Sequence, residues 1–340
     1  MYEVKISLPS HFSGIKFNNF MRHNSNLKKK YKFHINTEIK KADYWFVFED
    51  LYKETEYCAV PNKNVIYLNN ETSFSKDYFY QPFAEKFLNQ FDQVYSSYPS
   101  NHTKLKNTFP YLPWMIHANH GSAIYEESEF NYDYLNNLEL PNKTKKISVI
   151  CSNKAHTQNH SLRVNFLKIL KDYFGDELHW YGQGVKQINS KHEGIFEYKY
   201  HLVLENDSKK NLISEKIMDS YLGLSFPIYY GATNLSDYFD SNSFENIDIN
   251  DIKGSIKIIE NIINDNYYEK NLTALQQSRN KVLNEYNFLS RIDNIIQANS
   301  VPTSSNDFAE FLKSKNYFWK QNTTTKAKLK NSLKRKLRLS

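Results

Sequence analysis

The stretch that decides the fold occupies residues 201–234 and reads HLVLENDSKKNLISEKIMDSYLGLSFPIYYGATN. Its apolar run LVL predicts a buried strand that ends at Glu205 and Asn206. Ser214 is a good N-cap for a helix, and FPIYYG predicts a second strand after that helix. A strand, a helix and a second strand in succession are typical of a parallel α/β sheet.

Two charged residues fall in the first turn of the predicted helix, Glu215 and Lys216. Its apolar stripe is formed by Ile217, Tyr221 and Leu224. A helix N-terminus favours an acid and repels a lysine, so a phosphate held there would explain the lysine. Glu215 would then accept hydrogen bonds from two ribose hydroxyls. The alternative is a surface helix with an ordinary capping acid and a solvated lysine.

The same alternation occurs in two runs along the chain. The first contains the strand-like segments MYEVKISL, ADYWFVFED and KNVIYLNNE and the helix-like YFYQPFAEKFLNQF, and the second starts at KKISVICSN. The polar stretch NNLELPNKTKK lies between them and is the best linker candidate. We therefore predict an α/β fold with two Rossmann-like lobes and a ligand cleft at the carboxyl ends of the strands. The predicted ranges are 1–140, 145–300, an extension over 301–325 and a tail over 326–340.

Composition limits the class of protein. The chain has 340 residues, of which 40% are hydrophobic and 24% charged, as in ordinary globular proteins. Its two cysteines, Cys58 and Cys151, indicate neither a disulfide framework nor a cysteine zinc site, and they fit a reducing compartment. The N-terminus has no signal-peptide pattern, and no apolar run approaches the roughly 20 residues of a spanning helix. We expect a cytoplasmic protein.

The net charge of +7 is concentrated in the C-terminal tail. The tail carries seven basic residues and no acid: Lys326, Lys328, Lys330, Lys334, Arg335, Lys336 and Arg338. The rest of the chain is formally neutral, which argues against a nucleic-acid-binding fold. Leu329, Leu333 and Leu337 are spaced by four, so residues 326–340 predict a basic amphipathic helix on an anionic membrane surface. The alternative is a disordered, solubilising tail.

The stretch 201–234 resembles the donor-binding signature of glycosyltransferase family 10, the α-1,3/4-fucosyltransferases, in their bacterial type. The matching groups, at the family's spacing, are Glu205-Asn206, Ser214-Glu215-Lys216 and Pro227-Ile228-Tyr229-Tyr230-Gly231. Upstream, ISVICSNKAHTQNHSLR is similar to the family's segment in which a strand is followed by Ser-Asn and then Arg, here Ser152, Asn153 and Arg163. The similarity covers about residues 145–295.

The resemblance implies a GT-B fold and an inverting transfer of fucose from GDP-fucose to a sugar hydroxyl of a cell-surface glycan, such as lipopolysaccharide. Arg163 and Lys216 would neutralise the diphosphate, and Glu215 would bind the ribose. The other donor-binding positions are Ser152, Asn153, Glu205, Asn206 and Ser214. Leu212 stands where some members have a tyrosine. The preference of this protein for the sugar and the nucleobase of the donor is therefore left open. The alternatives are the same fold with another nucleotide sugar, or a non-catalytic binding module.

An inverting transfer needs a base that deprotonates the acceptor hydroxyl. The family has a carboxylate just after a strand of the first lobe, and VIYLNNETS is the comparable stretch here, with Glu71 as its acid. Glu71 is therefore the predicted base, and Glu49 and Asp50 at the end of ADYWFVFED are the reserve candidates. The alternative for Glu71 is a solvated acid in a turn.

The sequence predicts neither a metal nor a cofactor beyond the donor substrate. It contains no Asp-x-Asp pair, which metal-dependent sugar transfer usually needs to bridge the diphosphate. His156 and His160 are four residues apart, but no third ligand stands at metal spacing. Gly182 and Gly184 either let the backbone approach the nucleotide or form a plain turn.

Overall fold

A computed structural model describes residues 1–9, 26–69, 82–97, 102–109, 116, 130–155, 158–299 and 307–322. Glu71, His156 and the basic tail lie outside these residues. The described residues form two compact units. The first contains those up to 107 together with those from 299 onward, and the second contains those from 108 to 298.

The first unit is built on a parallel sheet of six strands. These are β1 (Tyr2–Ser7), β2 (Tyr31–Ile35), β3 (Tyr44–Phe48), β5 (Val65–Asn69), β6 (Gln93–Ser96) and β7 (Leu105–Asn107), in the order β2-β1-β3-β5-β6-β7. Strand β4 (Thr55–Pro61) lies outside this sheet, and the helices are α1 (Leu27–Lys30) and α2 (Pro82–Leu88). Every residue of β3 and β5 is buried, as expected for parallel strands covered on both faces.

The second unit has a parallel sheet of five strands. These are β8 (Lys145–Ile150), β9 (Leu178–Tyr181), β10 (Tyr198–Leu204), β11 (Phe226–Tyr230) and β12 (Glu245–Asn246), in the order β12-β11-β10-β8-β9. The helices are α3 (Tyr132–Asn137), α4 (Gln158–Phe174), α5 (Glu215–Leu222), α6 (Ile252–Asn264), α7 (Tyr267–Lys270), α8 (Leu272–Asn284) and α9 (Phe288–Ala298). The predicted fold class, α/β with two Rossmann-like units, is confirmed.

The boundary between the units differs from the polar linker that the sequence suggested. Helix α3 belongs to the second unit, where the Tyr132 hydroxyl donates to Asn284 Oδ1 over 2.6 Å. The Arg279 guanidinium donates to the Leu138 carbonyl over 2.8 Å. The composition of residues 136–146 resembles a linker, but side chains of α8 hold the beginning of this segment and the helix just before it. The second unit therefore begins well before residue 140.

The end of the described chain returns to the first unit instead of forming a separate extension. Strand β13 (Phe308–Lys313) pairs antiparallel with β4, and helix α10 (Lys315–Asn322) follows it. The Gln90 side-chain amide donates to the Lys313 carbonyl, and the Ser314 amide donates to the Glu54 carbonyl. Residues 307–322 are therefore part of the first unit. None of the described helices combines the length and the apolar composition needed to cross a bilayer.

Candidate functional site

The residues predicted to bind the donor meet at the carboxyl edge of the second sheet, where β10 ends. Glu205 follows β10 directly, is 2% exposed, and its amide donates to the Tyr230 carbonyl over 2.8 Å. A Cβ on Gly231 would lie 2.5 Å from Glu205 Cγ and would also collide with the Tyr229 hydroxyl. The glycine that closes the PIYYG segment is therefore needed because a side chain there would occupy the space of Glu205.

Ser214 links Glu205 to the start of α5. It is the N-cap of this helix, as predicted, and its hydroxyl accepts from the Lys216 amide. The Ser214 amide donates to Glu205 Oε1 over 2.9 Å, and its hydroxyl donates to the same oxygen over 2.7 Å. Lys216 Nζ lies 3.2 Å from Glu205 Oε2 and 3.0 Å from Ser214 Oγ. The buried carboxylate is thus held by a serine and a lysine from the helix N-terminus.

Glu215 is set between two ammonium groups. Its Oε1 lies 3.6 Å from Lys216 Nζ and 3.8 Å from Lys191 Nζ. Burial favours the neutral acid, but the charges of Lys216 and Lys191 outweigh it and lower the pKa of Glu215 to about 2. For Lys216, burial favours the neutral amine, but the charges of Glu205 and Glu215 prevail and raise its pKa. Both groups are therefore ionised at neutral pH.

The structure adds two charged residues that the sequence did not suggest. These are Lys191 and Asp219. Lys191 belongs to the short 3-10 helix Lys191–Gly194, and its Nζ lies 2.7 Å from Asp219 Oδ2. Asp219 is 1% exposed and lies one helical turn after Glu215. Asp219 directly follows Ile217 and Met218 in the sequence, and a carboxylate next to the apolar positions of a helix could have indicated a buried charge, which needs a partner. No local pattern identifies Lys191 as that partner.

Arg163 of α4 reaches the same edge of the sheet. It is 6% exposed, and its Nη1 donates to the Leu204 carbonyl over 3.0 Å, next to Glu205. Its Nε is buried and has no hydrogen-bond partner among the residues that the structure describes. The predicted pair of cations, Arg163 and Lys216, thus lies at the end of β10. The Nε–H of Arg163 is a hydrogen-bond donor that no described residue uses.

The remaining predicted donor-binding residues lie on neighbouring segments. Asn153, after β8, donates from its side-chain amide to the Gly184 carbonyl over 2.8 Å. A Cβ on Gly184 would lie 2.5 Å from Asn153 Nδ2, and one on Gly182 would lie 2.6 Å from the Cys151 carbonyl carbon. These two glycines therefore make room for the chain after β8. Ser152 is part of that chain, and Asn206 is half-buried beside Glu205.

A cavity of about 180 Å³ lies beside these charges within the second unit. Its lining includes Lys191, Glu215, Lys216, Asp219 and His201. His201 is buried, with Nδ1 2.8 Å from Ser148 Oγ. Burial, together with the charges of Lys191 and Lys143, lowers the pKa of His201 to about 3, so this imidazole is neutral. The formal charge on the cavity wall therefore comes from two lysines and two carboxylates.

The predicted base, Glu71, lies outside the described residues. The reserve candidates belong to the carboxyl end of β3 in the first unit. Glu49 is 6% exposed, has a φ of 65°, and its Oε2 lies 3.8 Å from Lys315 Nζ. Burial raises the pKa of Asp50, whose Oδ1 accepts from the amides of Leu51 and Lys315. A left-handed backbone at a buried acid is a strained arrangement that is often found at functional sites.

Within the part of the chain that the structure describes, no group of three His, Cys, Asp or Glu residues is placed to hold a metal ion.

Comparison with known proteins shows a family similarity within the second unit. Residues 140–288 match the family model described as glycosyltransferase family 10 (fucosyltransferase) C-term. An alpha-(1,3)-fucosyltransferase FucT from Helicobacter pylori is 33% identical over 60 residues, which are 18% of this chain and 13% of that protein. The resemblance to glycosyltransferase family 10 is thereby confirmed for the segment that carries the site.

Solved structures are similar at low sequence identity. A crystal structure of an alpha1,3-fucosyltransferase is 17% identical, with 80% of each chain covered and a TM-score of 0.49. The structure of Anabaena Alr3699/HepE in complex with UDP-glucose is 8% identical, with 88% of this chain and all of that chain covered and a TM-score of 0.46.

Proposed function

We propose that this protein is an inverting fucosyltransferase that transfers fucose from GDP-fucose to a sugar hydroxyl of a cell-surface glycan, in α-1,3 or α-1,4 linkage. One observation carries the proposal. Arg163 and Lys216 converge with the ionised Glu215 at the N-terminus of α5, beyond the carboxyl end of β10. This arrangement lies within the segment that matches the fucosyltransferase family model.

The chemistry of a nucleoside-diphosphate leaving group fits these residues. The diphosphate departs with two negative charges, and preorganised cations and amide donors stabilise such charge. Arg163 retains a buried N–H, Lys216 is a cation, and the first-turn amides of α5 add their dipoles. Glu215 is ionised and so only accepts hydrogen bonds, which suits two ribose hydroxyls.

The proposed transfer proceeds without a divalent metal, because Arg163 and Lys216 supply the positive charge that a metal ion would otherwise bring. Enzyme assayed in excess chelator should keep its turnover. Loss of activity on chelation, followed by recovery with manganese or magnesium, would contradict this part of the proposal.

Glu71 is proposed as the base that deprotonates the acceptor hydroxyl, with Glu49 and Asp50 in reserve. Its support is the similarity of VIYLNNETS to the family's corresponding turn. Strand β5, which precedes Glu71, ends at Asn69 on the carboxyl edge of the first sheet. That edge is where open parallel sheets bind ligands.

The donor sugar is the part of the proposal that most needs a test. Leu212, which departs from the family pattern, is 5% exposed, and its carbonyl accepts from the Tyr229 hydroxyl over 3.1 Å. Its side chain therefore belongs to the core. Because Leu212 departs from the family pattern, one alternative is the same fold acting on another nucleotide sugar. The other alternative is a binding module without catalysis.

A thermal-shift screen of nucleotides and nucleotide sugars tests the assignment. A ligand that binds only the folded protein raises its melting temperature by mass action. We expect GDP and GDP-fucose to stabilise the protein in the presence of chelator, and GDP-fucose to be turned over with a glycan acceptor. Stabilisation by UDP-sugars and not by guanine nucleotides would overturn the donor assignment.

The proposed location is the cytoplasmic face of the inner membrane, where residues 326–340 would bind anionic lipids and hold the enzyme near a lipid-linked glycan such as a lipopolysaccharide precursor. Charge supports this proposal, because the tail carries the whole net positive charge of the chain.

A further inference from the structure

We propose that Lys191 is a positioning residue of the donor site. When Lys216 binds the donor diphosphate and leaves Glu215, Lys191 becomes the counter-ion of the Glu215 carboxylate. The inference rests on the proposed function and extends it to a residue outside the family motif. It starts from the ion pairs around Glu215, in which one carboxylate oxygen stands between two ammonium groups.

Lys216 makes two hydrogen bonds and one longer ion contact in the structure. An ammonium group has three N–H donors, and three oxygens lie close to this one. They are Ser214 Oγ at 3.0 Å, Glu205 Oε2 at 3.2 Å and Glu215 Oε1 at 3.6 Å. A phosphate that binds Lys216 would therefore compete with Glu215 for the third N–H of the ammonium group. The contact with Glu215 is the longest of the three, and it is the one that we expect to break.

Glu215 would then face a diphosphate with one counter-ion fewer. A partly buried carboxylate without a partner is strongly disfavoured, and the approaching negative charge adds repulsion. Lys191 Nζ already lies 3.8 Å from the same oxygen, Oε1, only slightly farther than Lys216. Lys191 is 13% exposed, and Asp219 holds it over 2.7 Å, so its ammonium is fixed near Glu215.

The other titratable and charged groups around Glu215 cannot replace Lys216 as its counter-ion. On its own helix lie Lys216 and Asp219, and the end of β10 brings the anionic Glu205. His201 of β10 lines the same cavity and is neutral. Arg163 of α4 is directed to the Leu204 carbonyl. Among the described residues, Lys191 and Lys216 are the cations within 4 Å of Glu215.

The charge balance of the site supports these two roles, in which Lys216 binds the phosphate and Lys191 pairs with Glu215. The described residues of the site supply three cations, Arg163, Lys191 and Lys216, against three carboxylates, Glu205, Glu215 and Asp219. The site is thus neutral before the donor enters, and the diphosphate adds two negative charges. With Lys191 in place, Glu215 stays ionised and remains a hydrogen-bond acceptor for the ribose throughout binding.

The test compares GDP-fucose binding by wild type, Lys191→Met and Lys191→Arg, measured by calorimetry between about pH 5 and about pH 8. Wild-type affinity should vary little with pH. Lys191→Met should bind roughly tenfold more weakly near pH 8 and regain affinity toward pH 5. In that variant the diphosphate raises the pKa of Glu215, so binding takes up a proton and strengthens as the pH falls. Lys191→Arg should behave like wild type.

Two further variants separate positioning from folding. Lys199→Met is the matched control, because Lys199 pairs with the exposed Glu269 and should leave affinity and its pH profile unchanged. The double variant Lys191→Met/Asp219→Asn removes both charges of the buried pair, and it takes the place of the single variant in the test if Lys191→Met fails to fold. It should show the same pH-dependent weakening.

The outcomes are distinguishable. Unchanged affinity in Lys191→Met, or a loss that is the same at every pH, overturns the role of Lys191 and leaves the proposed function standing. Wild type that does not bind GDP-fucose contradicts the proposed donor instead, and the same series is then measured with UDP-glucose. Wild type that binds neither overturns both proposals.

Discussion

Lys216 and Glu205 form an ion pair at the carboxyl end of the second sheet, with 3.2 Å between Nζ and Oε2. The two residues differ in exposure, because the Glu205 side chain is 3% exposed and that of Lys216 is 26% exposed. Lys216 therefore serves two purposes, as the counter-ion of a buried acid and as the accessible cation of the proposed diphosphate site. The variants below separate these purposes.

Replacing either proposed phosphate-binding cation should weaken GDP binding. A hydrogen bond to a charged group is worth roughly 1.5–3 kcal/mol, or about ten- to a hundredfold in affinity, so we expect losses of that size in Lys216→Ala and Arg163→Ala. Calorimetry with GDP measures the effect, and Lys199→Ala is the control. Unchanged affinity in either variant would show that its cation does not bind the phosphates.

Glu71→Gln should reduce turnover sharply while GDP binding stays near the wild-type value. A general base acts on the acceptor hydroxyl during transfer and contributes typically 10²–10⁴-fold to the rate. Initial rates with GDP-fucose and a soluble glycan acceptor measure the loss, and Glu49→Gln and Asp50→Asn are compared in parallel. Normal turnover in Glu71→Gln would move the base to one of those two residues.

Glu215 should make folding stability depend on pH below neutrality. Its pKa is about 2 in the folded protein, against an ordinary value of 4.5 for a solvated glutamate, so the unfolded chain binds more protons between these values. The stabilisation is present above about pH 4.5 and is lost as the pH falls toward about 2, with a total of up to about 3 kcal/mol. Urea unfolding at several pH values measures it, and Glu215→Gln should flatten this part of the curve. An equal slope in the variant would assign the effect to other acids.

Gly231→Ala should disturb the donor site through Glu205. The added methyl group would meet Glu205 Cγ and the Tyr229 hydroxyl, and overpacking of this kind typically destabilises by about 1–3 kcal/mol. We expect a lower melting temperature and weaker GDP binding. Gly175→Ala is the contrasting variant, because nothing lies within 4 Å of its added carbon and the φ of 52° makes it strained only locally. Donor binding that is equally reduced in both variants would contradict the link to Glu205.

Removing the basic tail should abolish membrane association without affecting transfer. A chain that ends at Asn322 lacks seven positive charges and three leucines spaced by four, and each basic residue near an anionic surface contributes about 1 kcal/mol. Co-sedimentation with anionic vesicles should be lost, whereas turnover on a soluble acceptor should be retained. Vesicle binding that persists after truncation, or that does not respond to salt, would exclude this role of the tail.

Local sequence was sufficient to predict much of the second unit. The apolar runs before residues 151, 205 and 231 are strands β8, β10 and β11. Ser214 caps α5, so Glu215 and Lys216 occupy its first turn. These features depend on neighbours in the chain, on side-chain periodicity and on the hydrogen bond of a capping hydroxyl. The match to the family signature is equally local, because its residues follow one another within residues 201–234.

Other elements were not predicted, because their burial depends on segments distant in the chain. Strand β13 has one buried residue among six, and it pairs with β4. Helix α3 follows no strong pattern and is held by α8 through Tyr132 and Asn284. Neither segment contains a signal for its partner, so the ranges of the two units could only come from the contacts themselves.

The sequence by itself determined which residues open helix α5, and it carried the resemblance to glycosyltransferase family 10, since both depend on one contiguous segment. Only the tertiary structure decided that Lys191 stands 3.8 Å from Glu215 and that Arg163 reaches the Leu204 carbonyl. The physical reason is that an ion pair between distant segments has no periodicity to reveal it. It exists because the packing of β10, α4 and α5 brings charges together in a place where burial makes each of them need a partner.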